Sequence, residues 1–197
     1  VLDLCPQSER LQLVLMQDDH GKTILHRMAR KTNRSNHLQF ILMLFPYEER
    51  LKLVNVQDGK GRTALHRGVR SGNLGCVRTI LGCLQVLDDP HRQMVMRDEA
   101  GSDRKSLWSS GDPIKLALPL SQPEILQYVD KRDANEQTAL HHAAISQNME
   151  CLKLLLTCYP ESERLQVVNM EDRNGNTISR VSWEIELLTR SCLCCQS

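Results

Sequence analysis

The stretch Thr138-Ala-Leu-His141-His-Ala-Ala144 decides how the rest of the chain is read, because it occurs more than once. Thr63-Ala-Leu-His66 and Thr23-Ile-Leu-His26 are the same motif, and Thr177-Ile-Ser-Arg180 is a degraded copy. Thr23 to Thr63 spans 40 residues and Thr138 to Thr177 spans 39. The interval from Thr63 to Thr138 is 75, nearly two periods, so one altered copy is expected inside it. Self-similarity at a period of 20 to 50 residues is the mark of a repeat architecture.

Working outward, an aspartate stands five residues before each threonine: Asp18, Asp58, Asp133 and Asp172. A glycine follows three later in three copies (Gly21, Gly61, Gly175), with Glu136 in the fourth place, and Asp98 and Gly101 keep the same spacing in the interval. An aspartate side chain can accept bonds from the backbone ahead of it, and glycine tolerates positive φ, so each copy opens with a turn. Threonine followed by an apolar pair and small residues reads as a capped helix start. A second helix follows: Leu152, Leu154, Leu155, Leu156 and Tyr159 align with Leu38, Phe40, Ile41, Leu42 and Phe45, apolar nearly all round.

A third segment recurs as well. Pro46-x-x-Glu49-Arg-Leu51 matches Pro160-x-x-Glu163-Arg-Leu165 and Pro6-x-x-Glu9-Arg-Leu11. Proline at a first helical position with apolar residues at i, i+3 spacing predicts a short extra helix. The copy inside the interval is damaged. Ser-Asp-Arg-Lys-Ser106 replaces the threonine motif, and Gly111, Pro113 and Pro119 fall where helices are due. Pro123-Glu-Ile-Leu126-Gln-x-Val129 still resembles the end of a repeat.

Asp58-Gly-Lys-Gly61-Arg-Thr63-Ala-Leu65-His66 and Thr138-Ala-Leu-His-His-Ala-Ala144 resemble the ankyrin repeat, with its glycine turn, Thr-Pro-Leu-His and paired alanines. The resemblance covers residues 5 to 180. It implies an all-α fold, an ankyrin-repeat solenoid of stacked helix-turn-helix units with short β-hairpin loops, lengthened here by one extra short helix per repeat. The expected organisation is an array over 1–180: a partial repeat at 1–16, repeats at 17–56 and 57–96, a degenerate repeat at 97–131, a repeat at 132–170 and the start of a degenerate last repeat at 171–180. A C-terminal tail follows at 181–197. Armadillo and HEAT repeats have a similar period but lack the hairpin-plus-threonine signature, and rank second. The array starts mid-repeat, so the chain is expected to be a fragment.

Composition bears on function. Lysine and arginine number 25 against 24 acids, a formal charge of +1 that gives no general field for nucleic acid or an anionic membrane. Runs such as Phe40–Phe45 and Leu152–Leu156 are far shorter than the ~20 apolar residues of a membrane span. No phosphate-binding glycine loop occurs. His26, His66 and His141 have no recurring nucleophile or carboxylate beside them, and the resemblance implies a structural role, bonding backbone between copies. Cys76, Cys83, Cys151 and Cys158 lie seven apart in pairs, aligned with apolar Leu44 in the first copy, and read as buried small hydrophobes. No CxxC pair with histidines at finger spacing supports a metal site. Cys192, Cys194 and Cys195 fall in the tail, for which capping of the stack or disorder is the expectation.

What remains is a binding module: a non-catalytic scaffold with no cofactor and no metal, cytoplasmic, monomeric, and gripping a protein partner. The candidate contacts are the hairpin tips, His20, Lys22, Lys60, Arg62, Asn135, Gln137, Asn174 and Asn176. Arg27, Arg67 and His142 join them, the row one place after each motif histidine, which would suit an acidic partner if it lines the concave face. Arg30, Lys31, Arg34 and Arg70 add to the basic clusters. The alternative is a piece of a larger signalling, enzyme or channel protein.

Overall fold

A computed structural model describes residues 7–31, 35–84 and 123–181. Eleven helices are described, and no strand is named among these residues. The hairpins are tight turns, with one isolated bridge between Glu171 and Thr177.

Each turn is made as its aspartate predicts. The Asp58 amide donates to the Arg62 carbonyl (2.8 Å), and the Gly61 amide returns to the Asp58 carbonyl (2.8 Å). The Asp58 carboxylate accepts from the amides of Lys60 (2.9 Å) and Arg62 (3.0 Å). Asp18, Asp133 and Asp172 repeat both patterns. Gly61 sits at φ +71°, and a Cβ there would come within 2.8 Å of the Ala134 amide nitrogen. Glycine is therefore demanded twice, by its conformation and by the next hairpin. Glu136 holds the same place at φ 60°, a left-handed conformation that a side chain makes costly.

In the first copy the turn leads into α2 (Ile24–Ala29), then α3 (Ser35–Met43) and the extra helix α4 (Tyr47–Asn55). The second copy gives α5 (Ala64–Arg70) and α6 (Leu74–Cys83). The fourth gives α8 (Ala139–Ile145), α9 (Met149–Leu156) and the extra helix α10 (Glu161–Val168). Outside them lie α1 (Gln7–Leu15), α7 (Pro123–Val129) and a short α11 (Ile178–Val181). Inner helices α2, α5, α8 and α11 pack in sequence, and α3, α6 and α9 form a second layer behind them. Leu25, Leu65 and Leu140 of the motif are buried in the core with Leu38, Ile41 and Leu42 of α3 and Phe45 just beyond it. Phe40, aligned with partly buried Leu154, is 57% exposed. The outer helices are thus not apolar all round in use; the 3.6-residue period leaves this row toward solvent.

The extra helices are fastened by the arginine of their motif. Arg50 Nε donates to the Phe45 carbonyl (2.7 Å), and Arg164 Nε to the carbonyls of Leu156 (3.1 Å) and Tyr159 (3.2 Å). These are carbonyls at the C-terminal ends of α3 and α9, where a cation is favoured.

The second copy stacks straight onto the fourth. The Ala134 amide donates to the Lys60 carbonyl (3.0 Å), as the Gly59 amide does to His20 (2.9 Å) and the Arg173 amide to Asn135 (3.0 Å). Helices α5 and α8 are neighbours. The second and fourth copies therefore touch directly, through their hairpins and their inner helices. Residues 97–122 of the repeat expected over 97–131 lie outside the described residues, and 123–129 form α7, which leads into the Asp133 hairpin as α4 leads into Asp58. The tail beyond 181 also lies outside the described residues.

Candidate functional site

Three motif histidines make one arrangement. His26 Nδ1 faces the Thr23 amide (3.1 Å) and hydroxyl (2.8 Å), while Nε2 reaches the Arg62 carbonyl of the next hairpin (2.9 Å). His66 repeats this on Thr63 and the Gln137 carbonyl (3.2 Å), and His141 on Thr138 and the Met170 carbonyl (3.0 Å). An amide can only donate, so Nδ1 is the acceptor and Nε2 carries the proton; this follows from the donor set. Histidine here takes the position of glutamate in a capping box and stitches each copy to the next. Burial lowers the pKa of all three, His66 to about 4, where repulsion from His142 adds to the effect. Their geometry leaves no nitrogen for a reaction.

A second stitch runs the other way and was not read from the sequence. Asn73 Nδ2 donates to the Ala29 (3.1 Å) and Lys31 (2.9 Å) carbonyls, and Asn148 Nδ2 to Val69 (2.9 Å), each reaching back to the end of the previous inner helix. Both stand ten residues after the motif threonine, which was the available signal.

The candidate contacts divide. His20, Lys60, Asn135 and Asn174 are exposed at the tips and brought into one row by the hairpin ladder. Lys22 is half-buried beside α2. Gln137 and Asn176 turn their amide groups onto the Asp172 carboxylate (2.8 and 3.2 Å), so their side chains serve the last turn. The row Arg27, Arg67, His142 is not the free surface expected. Each member bonds the hairpin aspartate nine residues before it: Arg27 to Asp18 (2.7 Å), Arg67 to Asp58 (2.5 Å) and His142 to Asp133 (3.0 Å). Arg62 adds a 3.2 Å contact to Asp58. Arg67 and Arg62 keep 14% and 15% of their side-chain surface, and His142 keeps 4%. Only Arg27, at 69%, remains outside. The cause is electrostatic: a buried carboxylate takes a cation or donor from the adjacent helix.

The pKa directions agree. Burial opposes ionisation of Asp58, but the Arg67 side chain and the amides of Arg62 and Lys60 outweigh it and hold the carboxyl well below its ordinary range. Asp133 is held down in the same way by His142 and two amides. His142 itself is lowered by burial despite Asp133, and its ring stands edge-on to His66 at 5.3 Å. Cys76 and Cys83, raised to about 11, and Cys158, raised to about 12, are protonated hydrophobes by burial.

Residues 135–162 match the family model of the ankyrin repeat. Over this copy the chain is similar to an ankyrin repeat. The match spans the last residues of the Asp133 turn, α8, α9 and the start of α10, a copy in which, as in the second, the histidine and asparagine stitches are both in place. No curated protein matches the chain. Ankyrin repeats serve generally as protein–protein interaction scaffolds and are typically non-catalytic. Among the described residues no group of histidine, cysteine or acidic side chains could hold a metal ion, and no helix is long and apolar enough to cross a membrane.

Proposed function

We propose that this chain is a non-catalytic, cytoplasmic scaffold that binds a protein through its hairpin tips and the concave face of its inner helices, and acts as a monomer. The observation that carries this reading is the row of tips. His20, Lys60, Asn135 and Asn174 are exposed side chains on a backbone ladder held in register by three interhairpin bonds. Such a row presents a rigid edge, and preorganisation lowers the entropic cost of binding. Arg27 and Lys22 extend the contact onto α2. Arg67, Arg62 and His142 shape the surface from behind by fixing the hairpins.

The test is capture from cell lysate on the purified chain, with bound proteins identified by mass spectrometry. A variant with Lys60→Ala, Asn135→Ala and Asn174→Ala serves as control. The reading expects a partner retained by the chain and lost by a variant of unchanged melting. Partners bound equally by both would overturn the tip row as the contact.

A further inference from the structure

The inner helix of the first copy borders a groove of about 630 Å³ whose lining is basic. Lys22, Arg27, Arg30, Lys31 and Arg67 contribute cations, Ile24 and Met28 an apolar floor, and among the described residues no aspartate or glutamate side chain lines it. Two of these cations are committed: Arg67 to Asp58, and Arg27 to Asp18. Lys22, Arg30 and Lys31 make no side-chain ion pair among the described residues. Arg30 and Lys31 are exposed, and Ile24 shows 42% of its surface to the solvent.

The same positions in later copies lose this character. Arg30 is followed by Arg70 and then by Ile145, which is 49% exposed; Lys31 is followed by Ser71 and Ser146. Lys22 gives way to Arg62, neutralised on Asp58, and then to Gln137. Arg70 keeps an exposed cation on α5 that makes no ion pair among the described residues, but over α2 three such cations, Lys22, Arg30 and Lys31, line one groove. A formal charge of +1 thus conceals a local basic groove.

We infer that the groove over α2 takes an acidic segment of a protein partner, with carboxylates on Lys22, Arg30 and Lys31 and an apolar side chain on Ile24 and Met28. Complementary charge steers and orients association, and the apolar floor gives an anchor that charge alone would not. A nucleic acid fits less well: among the described residues no phenylalanine, tyrosine or tryptophan lines the groove to stack a base. The inference rests on the scaffold reading and adds the chemistry of the partner and its position on the stack.

The experiment is selection of random peptides displayed on phage against the full chain, followed by fluorescence anisotropy of the best peptide. The R30E/K31E double variant and a K153E control on α9 are compared, with melting followed by circular dichroism. Arg30 and Lys31 are exposed and unpaired, so the double variant is expected to melt as the parent does. The expected result is a pool rich in Asp and Glu with one apolar position, binding R30E/K31E about tenfold or more weakly at physiological salt and K153E as well as the parent. A pool without acidic enrichment, or equal binding to R30E/K31E, would overturn the inference. Tighter, Arg30- and Lys31-dependent binding of single-stranded oligouridylate would assign the groove to nucleic acid and overturn it equally. A partner captured from lysate through the tip row and indifferent to R30E/K31E would remove the groove while leaving the scaffold. An acidic pool with no lysate partner would do the reverse.

Discussion

At the scale of single residues, the motif histidines are neutral because both Thr donors face Nδ1 and burial disfavours charge. With His142 they make four histidines lowered below the ordinary value of 6.5. A group depressed in the fold contributes stability that is complete above its unfolded pKa and is lost as pH falls toward its folded one. The window therefore opens near pH 6.5 and runs to about 4 for His66. Asp130, raised by burial, works in the opposite sense, one group against four. The urea midpoint is expected to fall between pH 7 and pH 5, and nitrogen-15 spectra to show the Nε2–H tautomer at all three motif histidines; a flat midpoint would contradict their neutral role. The aspartate locks give a second contrast. Arg67→Glu sets a carboxylate against Asp58, whose side chain is 1% exposed, and should lower stability by about 3 kcal/mol. Arg27→Glu, on an exposed side chain, should change the melting temperature little. Thr, His and Asp were legible at this scale because they recur in phase. The identity of Arg67 and His142 as locks was not, although their spacing of nine from an aspartate lay in the sequence; a side chain's partner depends on which way the hairpin folds back.

At the scale of elements, the turn and two helices of the first, second and fourth copies and the added helix of the first and fourth were readable, since Pro, Asp, Gly and Thr punctuate them by steric and capping rules. The role of the Glu-Arg pair in the extra segment was not, because capping of another helix's end is a tertiary contact. Arg164, bonded to two carbonyls at the end of α9, should lower stability by about 1–2 kcal/mol when changed to Ala. Urea unfolding of Arg164→Ala beside Glu161→Ala checks this, since Glu161 is exposed and pairs only loosely with Arg164 at 3.7 Å. Equal effects from the two would show that the carbonyl contacts contribute nothing.

At the scale of the molecule, the bond from Ala134 to Lys60 and the contact of α5 with α8 join the second copy to the fourth, and the interval of 75 residues, about two periods long, could not show this by its length alone. Direct stacking couples the two halves, and stability in a linear array is a sum of repeat and interface terms. One cooperative urea transition is expected. Leu140→Ala, in a fully buried site, should lower it as a whole by about 2–5 kcal/mol, whereas two separate transitions would mean that the copies do not form one stack.

The most direct test of the binding surface is amide hydrogen exchange on the chain with and without a partner captured from lysate. The account predicts added protection at hairpins 18–22, 58–62 and 133–137 and along α2. Protection confined to the outer helices α3, α6 and α9 or to the extra helices would contradict it.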